Sequence, residues 1–141
     1  LVEHCSALGP VVFVGSPQER GYYERYTSAT STNLCGRTDL RQAGSVLAHA
    51  QHIYATDSGL MHMAGALNPN VTAIFGPTHP ERKCPPGARW AWADRERYDS
   101  RYEVLGKVPQ AKFFETMTLA HIVNEAQPWV PMAAAGTGSP T

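Results

Sequence analysis

Buried strands alternating with amphipathic helices predict an α/β protein built on a doubly wound parallel sheet. Three observations carry the prediction. Continuous apolar runs stand at Val11-Val12-Phe13-Val14, Ile53-Tyr54-Ala55-Thr56 and Val71-Thr72-Ala73-Ile74-Phe75. Apolar residues at helical spacing lie between them, and a glycine follows each run within three residues. Runs of this kind mark strands covered on both faces, as in a parallel sheet. Their alternation with helices is the pattern of a layered α/β domain.

Taken in order, Leu1, Cys5 and Leu8 share one face of a helix that Gly9 stops. The helix opens without a cap, so the chain is expected to be a piece of a longer one. Pro17 opens a helical stretch to about Tyr26, proline being suited to a first helical position. Residues 28–32 are a polar breaker, and Asn33-Leu34-Cys35-Gly36 is a short strand or extended connector. Leu40, Ala43, Leu47 and Ala50 predict a helix that Thr38 can cap. Leu60, Met63, Ala64 and Leu67 predict the next, closed by the turn Asn68-Pro69-Asn70. Residues 79–100, rich in Pro, Arg and Trp, are expected to form a long loop with one short helix, Trp90 and Trp92 folding over the domain's own core. Leu119, Ile122, Val123 and Ala126 stripe a final helix. The domain is therefore expected over 1–126, with a flexible Pro/Ala/Gly/Ser tail over 127–141.

Composition narrows the function. Twelve Lys and Arg balance twelve Asp and Glu, which argues against a nucleic-acid partner or a polybasic membrane anchor. Three separated cysteines form no CxxC pair, so neither a disulfide framework nor a zinc site is expected, and a reducing compartment fits. No metal-ligand spacing appears among the histidines. The first nine residues are not expected to be a signal peptide, and the sequence holds no apolar run of the ~20 residues a membrane helix needs, no GxSxG, no GxxxxGK[ST] and no GxGxxG after the first strand.

Ligands of open α/β sheets bind beyond the carboxyl ends of the strands. Gly15-Ser16, Asp57-Ser58-Gly59 and Gly76-Pro77-Thr78 fall at such ends. At the middle one, Gly59 opens the start of a helix, where unpaired N–H groups and the helix dipole favour an anion such as a diphosphate. Ser-Gly at a strand-to-helix junction is also common without any ligand. His62, one turn on, lies off the apolar stripe; a phosphate would favour its protonated form and the helix start would disfavour it. Asp57 has two roles open to it, accepting from sugar hydroxyls or capping the helix.

Three ordered blocks go further. Leu34-Cys35-Gly36-Arg37-Thr38-Asp39-Leu40 comes first. Thr56-Asp57-Ser58-Gly59-Leu60-Met61-His62-Met63-Ala64-Gly65-Ala66-Leu67 follows, and then Ala73-Ile74-Phe75-Gly76-Pro77-Thr78-His79-Pro80. Together they resemble the C-terminal domain of glycosyltransferase family 9, the bacterial ADP-heptose:lipopolysaccharide heptosyltransferases, closely from Val11 to Pro80. The resemblance implies a GT-B enzyme whose Rossmann-like C-terminal domain holds the nucleotide sugar. Its N-terminal domain, absent here, would hold the acceptor and the general base, so this chain alone is expected to be inactive. By position, Ser58, Gly59 and Leu60 would meet the diphosphate, His62 would lie beside it, and Asp57 would contact the sugar. Thr78 belongs to the same rim. Arg37 and Thr38 fall where the chain passes the adenine, and the stretch holding Ser16 and Glu19 falls near the ribose. The resemblance further implies inverting, metal-independent transfer from an ADP-sugar to a glycolipid or glycan acceptor, at the cytoplasmic side and at most peripheral to the inner membrane. A related GT-B transferase, a nucleotide-sugar epimerase domain and a non-catalytic binding module are the alternatives. The segment Cys84-Pro85-Pro86-Gly87 matches no family block.

Overall fold

The computed structural model describes residues 1–105 and 113–130, which fold as two compact units, Leu1–His49 and a second beginning at Ala50. Both are α/β with parallel strand pairing, the Rossmann-like class that the sequence predicts.

In the first unit, helix α1 (Val2–Leu8) ends at Gly9, whose N–H bonds the Cys5 carbonyl. Strand β1 (Val11–Phe13) follows, then a 3-10 turn (Pro17–Glu19) running into α2 (Arg20–Glu24), then β2 (Ser31–Asn33) and α3 (Leu40–His49). Strands β1 and β2 pair in parallel, Val11 opposite Ser31 and Phe13 opposite Asn33. The ring of Phe13 stacks on Tyr23 at 4.8 Å.

Strand β2 lies two residues before the Asn33-Leu34-Cys35-Gly36 stretch expected for it. Its polarity hid it. Ser31 and Asn33 are buried, yet each is satisfied. The Ser31 hydroxyl donates to the Tyr26 carbonyl. The Asn33 amide donates to the Arg20 carbonyl and to Glu24, and its oxygen accepts from the Cys35 N–H. Buried polar groups with partners are tolerated where orphaned ones are not. The cap of α3 is also one residue later than Thr38: Asp39 Oδ1 accepts from the Gln42 N–H at 2.7 Å, and Gln42 Oε1 accepts from the Asp39 N–H at 3.0 Å, a reciprocal capping box.

The second unit carries a four-stranded sheet in the order β3 (Ile53–Thr56), β4 (Val71–Phe75), β5 (Arg89–Trp92), β6 (Gln127–Pro128). The first three strands are parallel, and β6 is antiparallel to β5. Helix α4 (Gly59–Leu67) joins β3 to β4, α5 (Pro80–Lys83) precedes β5, and a 3-10 turn (Arg95–Arg97), α6 (Arg101–Leu105) and α7 (Leu119–Val123) follow it. Ala91, Ile122 and Ala126 form a core cluster, with Tyr54, Ile74 and Met117 packed on it.

Strand β5 corrects the expectation of a loop over 79–100. Prolines and charges around it masked four residues whose pairing partner, β4, is distant in sequence; aromatic residues fit a pleated, half-buried surface well. The tail expected from Gln127 likewise starts later: Gln127 and Pro128 pair with β5, and the Trp129 N–H bonds the Ala88 carbonyl. The remainder of that tail, 131–141, lies outside the described residues.

Helix α4 buries a different face from the one its hydropathy predicts. Met61 and Ala64 are fully buried, whereas Leu67 is 47 % exposed. Met61, Ala64, Gly65 and Asn68 share one face at i, i+3, i+4, i+7. Gly65 explains the choice: a Cβ there would lie 2.3 Å from Cβ of Pro85, so the smallest residue faces the closest neighbour. Asn68 ends that face, donating to the Ala50 carbonyl and accepting from the Asn70 N–H.

Candidate functional site

The predicted site residues fall into two groups, one in each unit. In the first, Ser16 and Glu19 close on each other: Glu19 Oε2 accepts from the Ser16 N–H at 2.7 Å and from its hydroxyl at 2.8 Å. Pro17 has no N–H to leave unpaired. Most donors at the start of this 3-10 turn are therefore satisfied from within, the Glu19 N–H by the Ser16 carbonyl. The Gly36 N–H bonds the Gly15 carbonyl at 2.9 Å, which brings the Cys35-Gly36-Arg37 turn against it. Gly36 is the residue this turn requires. Its φ is +70°, and a Cβ would lie 2.7 Å from Cα of Pro17. Arg37 is exposed and Thr38 half-buried. Burial pushes the Cys35 thiol up, and the Glu19 carboxylate pushes it further, which keeps it a neutral thiol of low reactivity.

In the second unit the turn after β3 and the turn after β4 stand at the carboxyl ends of neighbouring parallel strands. Ser58 is the N-cap of α4, its Oγ accepting from the Met61 N–H at 3.3 Å. That removes the capping role from Asp57. The Asp57 carboxylate instead accepts from the Thr78 hydroxyl at 2.7 Å, a contact spanning 21 residues that ties the two turns together. Sequence reading placed Thr78 on the same rim but had no way to pair it with Asp57.

The first N–H groups of α4 are open. A helix leaves its first four donors without intrahelical partners. Ser58 takes the one on Met61, and the His62 N–H reaches the Ser58 carbonyl at 3.4 Å. The N–H groups of Gly59 and Leu60 meet no acceptor among the described residues. A Cβ on Gly59 would meet nothing within 4 Å. The fold does not need a glycine there. His62 is exposed, one turn along. This arrangement can hold an anion by two backbone donors and the positive end of the helix dipole.

The turn after β4 is supported by residues that sequence reading left in a loop. Trp92 Nε1 donates to the Gly76 carbonyl at 2.9 Å, and the His79 N–H donates to Glu103 at 2.9 Å. The rings of His79 and Trp92 meet edge-on at 4.9 Å. Phe113 and Phe114 close in from the other side, since a Cβ on Gly76 would lie 2.7 Å from Cζ of Phe114. Trp92 thus braces this turn. No helix among the described residues is long and apolar enough to cross a membrane.

The chain is similar to known proteins. The family model of glycosyltransferase family 9 (heptosyltransferase) matches residues 1–102. Lipopolysaccharide heptosyltransferase 2 of Escherichia coli K12 is 37% identical over 78 residues, covering 50% of this chain and 22% of that protein. Lipooligosaccharide heptosyltransferase 2 of Haemophilus ducreyi is 50% identical over 50 residues, covering 34% and 14%. Among solved structures, E. coli ADP-heptose LPS heptosyltransferase II superposes with a TM-score of 0.60 at 29% identity, over 67% of this chain and 31% of that one. The chain thus spans about a fifth or less of the length of these curated relatives. With a family match over 1–102 and the three sequence blocks inside it, the chain belongs to glycosyltransferase family 9.

Proposed function

We propose that this chain is the donor-binding part of an inverting glycosyltransferase and holds a nucleotide-diphosphate sugar, an ADP-sugar such as ADP-heptose, at the start of α4. One observation carries the reading: the N–H groups of Gly59 and Leu60 have no acceptor among the described residues, and a Cβ on Gly59 would meet nothing within 4 Å beyond its chain neighbours and its own helix. The N–H groups and the Ser58 hydroxyl would bind the diphosphate, and His62 would lie beside it. Asp57, held by Thr78, would accept from the sugar hydroxyls. The similarity to heptosyltransferases that act on lipopolysaccharide and lipooligosaccharide supports a core glycolipid as acceptor.

In this reading the transfer is a single displacement at the anomeric carbon. The acceptor oxygen forms the new glycosidic bond as the bond to the diphosphate breaks, and the acceptor proton passes to a base in residues outside this chain. The part described here stabilises the negative charge that grows on the departing diphosphate, through donors already in place before the reaction. No metal ion is needed for that role. The chain alone binds nucleotide without turning over, and the complete protein works at the cytoplasmic side of the inner membrane.

Calorimetry with ADP, UDP and GDP tests the reading. ADP is expected to bind most tightly, Gly59→Asp to remove binding, and EDTA to leave it unchanged. If none of the three nucleotides binds, the donor-site reading fails and a binding module of another kind replaces it.

A further inference from the structure

A second hollow lies in the same unit, between β5 and α7, with a volume of about 240 Å³. Trp90, Trp92 and Arg95 line it from the strand side, and His121, Glu125 and Gln127 from the helix and β6. Strand β6 is only two residues long and pairs β5 at Arg89 and Trp90. The edge of β5 at Ala91 and Trp92 is therefore left uncovered on this side. His121, Glu125 and Gln127 stand beyond residue 102, where the family match ends.

The lining has a definite chemical character. Its charges nearly cancel, Arg95 against Glu125, with His121 Nε2 3.9 Å from the Glu125 carboxylate. Neither the Arg95 guanidinium nor the Trp90 indole N–H has a side-chain partner among the described residues. Glu125 and Arg95 are exposed, whereas Trp90 and Trp92 are half-buried. The hollow thus offers flat aromatic surface, free donors, a carboxylate acceptor and the amide of Gln127. A ligand matching all four has one apolar face and a rim of hydroxyls that both donate and accept. A pyranose ring has that structure; a phosphate or an organic cation does not.

We propose that this hollow is a carbohydrate-binding site, separate from the turn at the start of α4, that takes one sugar ring against Trp90 and Trp92. Its hydroxyls bond Arg95, Glu125 and Gln127. In a glycan-building enzyme such a site would hold a sugar of the growing acceptor without taking part in the chemistry.

Saturation-transfer NMR on the full chain tests it, with methyl α-mannopyranoside and methyl α-glucopyranoside as probes and sorbitol as an acyclic control. The ring protons of at least one pyranoside are expected to receive saturation and sorbitol much less. Trp90→Ala should weaken the response about fivefold or more, as loss of an aromatic face of ~1 kcal/mol implies. Arg95→Gln and Glu125→Gln change exposed side chains and keep the fold testable if Trp90→Ala does not fold; each should weaken the response too. Gly59→Asp should leave it intact, and ADP binding should be unchanged in the three hollow variants. No response from either pyranoside overturns the proposal. So does a response that survives Arg95→Gln and Glu125→Gln, or one that Gly59→Asp removes, because the sugar would then sit elsewhere.

Discussion

The chain has two places where a strand end turns into a helix through a serine, and they are built in opposite ways. After β1, Ser16-Pro17-Gln18-Glu19 uses most of its own donors: Glu19 takes both the Ser16 N–H and the hydroxyl, the Glu19 N–H bonds the Ser16 carbonyl, and Pro17 has no N–H to offer. After β3, Ser58-Gly59-Leu60-Met61 satisfies the Met61 N–H and leaves the Gly59 and Leu60 N–H groups without an acceptor among the described residues. The same residue type at the same structural position thus gives a closed turn or an open one. The residues that follow decide. Proline with glutamate at the third position closes the helix start, whereas glycine with two apolar residues leaves it open. The exposed donors cost little while water can reach them, and they are available to any anion that displaces that water.

The largest expected effect breaks this comparison at its open side. Gly59→Asp puts a carboxylate where the diphosphate is proposed to sit, and should weaken ADP binding at least about 30-fold, roughly 2 kcal/mol. An acidic residue in a first helical turn is itself favourable, so the Tm should hold or rise. Loss of binding with the fold intact separates a ligand effect from a folding effect in one variant.

Gly65→Ala is the matched control on the same helix. Its Cβ would meet Pro85 at 2.3 Å, so overpacking should lower stability by about 1–3 kcal/mol, visible as a lower Tm. A ligand site and a packing site only six positions apart would then respond in opposite ways to a small substitution.

Ser58→Ala removes the N-cap of α4 and should cost about 1 kcal/mol of stability, with a further loss of ADP affinity. Glu19→Gln tests the closed turn: stability should fall by about 1 kcal/mol or less, seen as a lower Tm, because the amide can replace only part of the capping box.

The smallest effect concerns pH. His52 Nε2 lies 2.9 Å from the Thr72 hydroxyl. Burial, and then the charge of Arg89, hold its pKa below the ordinary histidine value. Folding therefore favours neutral His52, and the stability it contributes is present above the unfolded pKa of about 6.5. That stability is lost as pH falls through the lower folded value. Thermal melts between pH 7 and pH 5 should show a decline that His52→Gln reduces.

Much of this was open to sequence reading because it is local. Apolar runs showed β1, β3 and β4, and Gly9 stopped α1 where expected. Asp57-Ser58-Gly59 stood at a strand end because strand and helix adjoin there in sequence. What escaped was non-local or polar. β5 is defined by pairing with β4, and β2 by polar residues whose partners are set by the fold.

The amino-acid sequence by itself determined the α/β class, the order of the principal strands and helices, the family, and the glycine-marked turn at residues 57–59. Periodicity and turn chemistry act over a few residues, so those features are written where they occur. Only the tertiary structure decided that Asp57 is held by Thr78 rather than capping α4, that Gly65 rather than Leu67 faces the packed side of that helix, and that Trp92 braces the Gly76 turn. Each of these rests on residues 16 to 21 positions apart. Such contacts depend on how close two elements come, and that distance is fixed by packing.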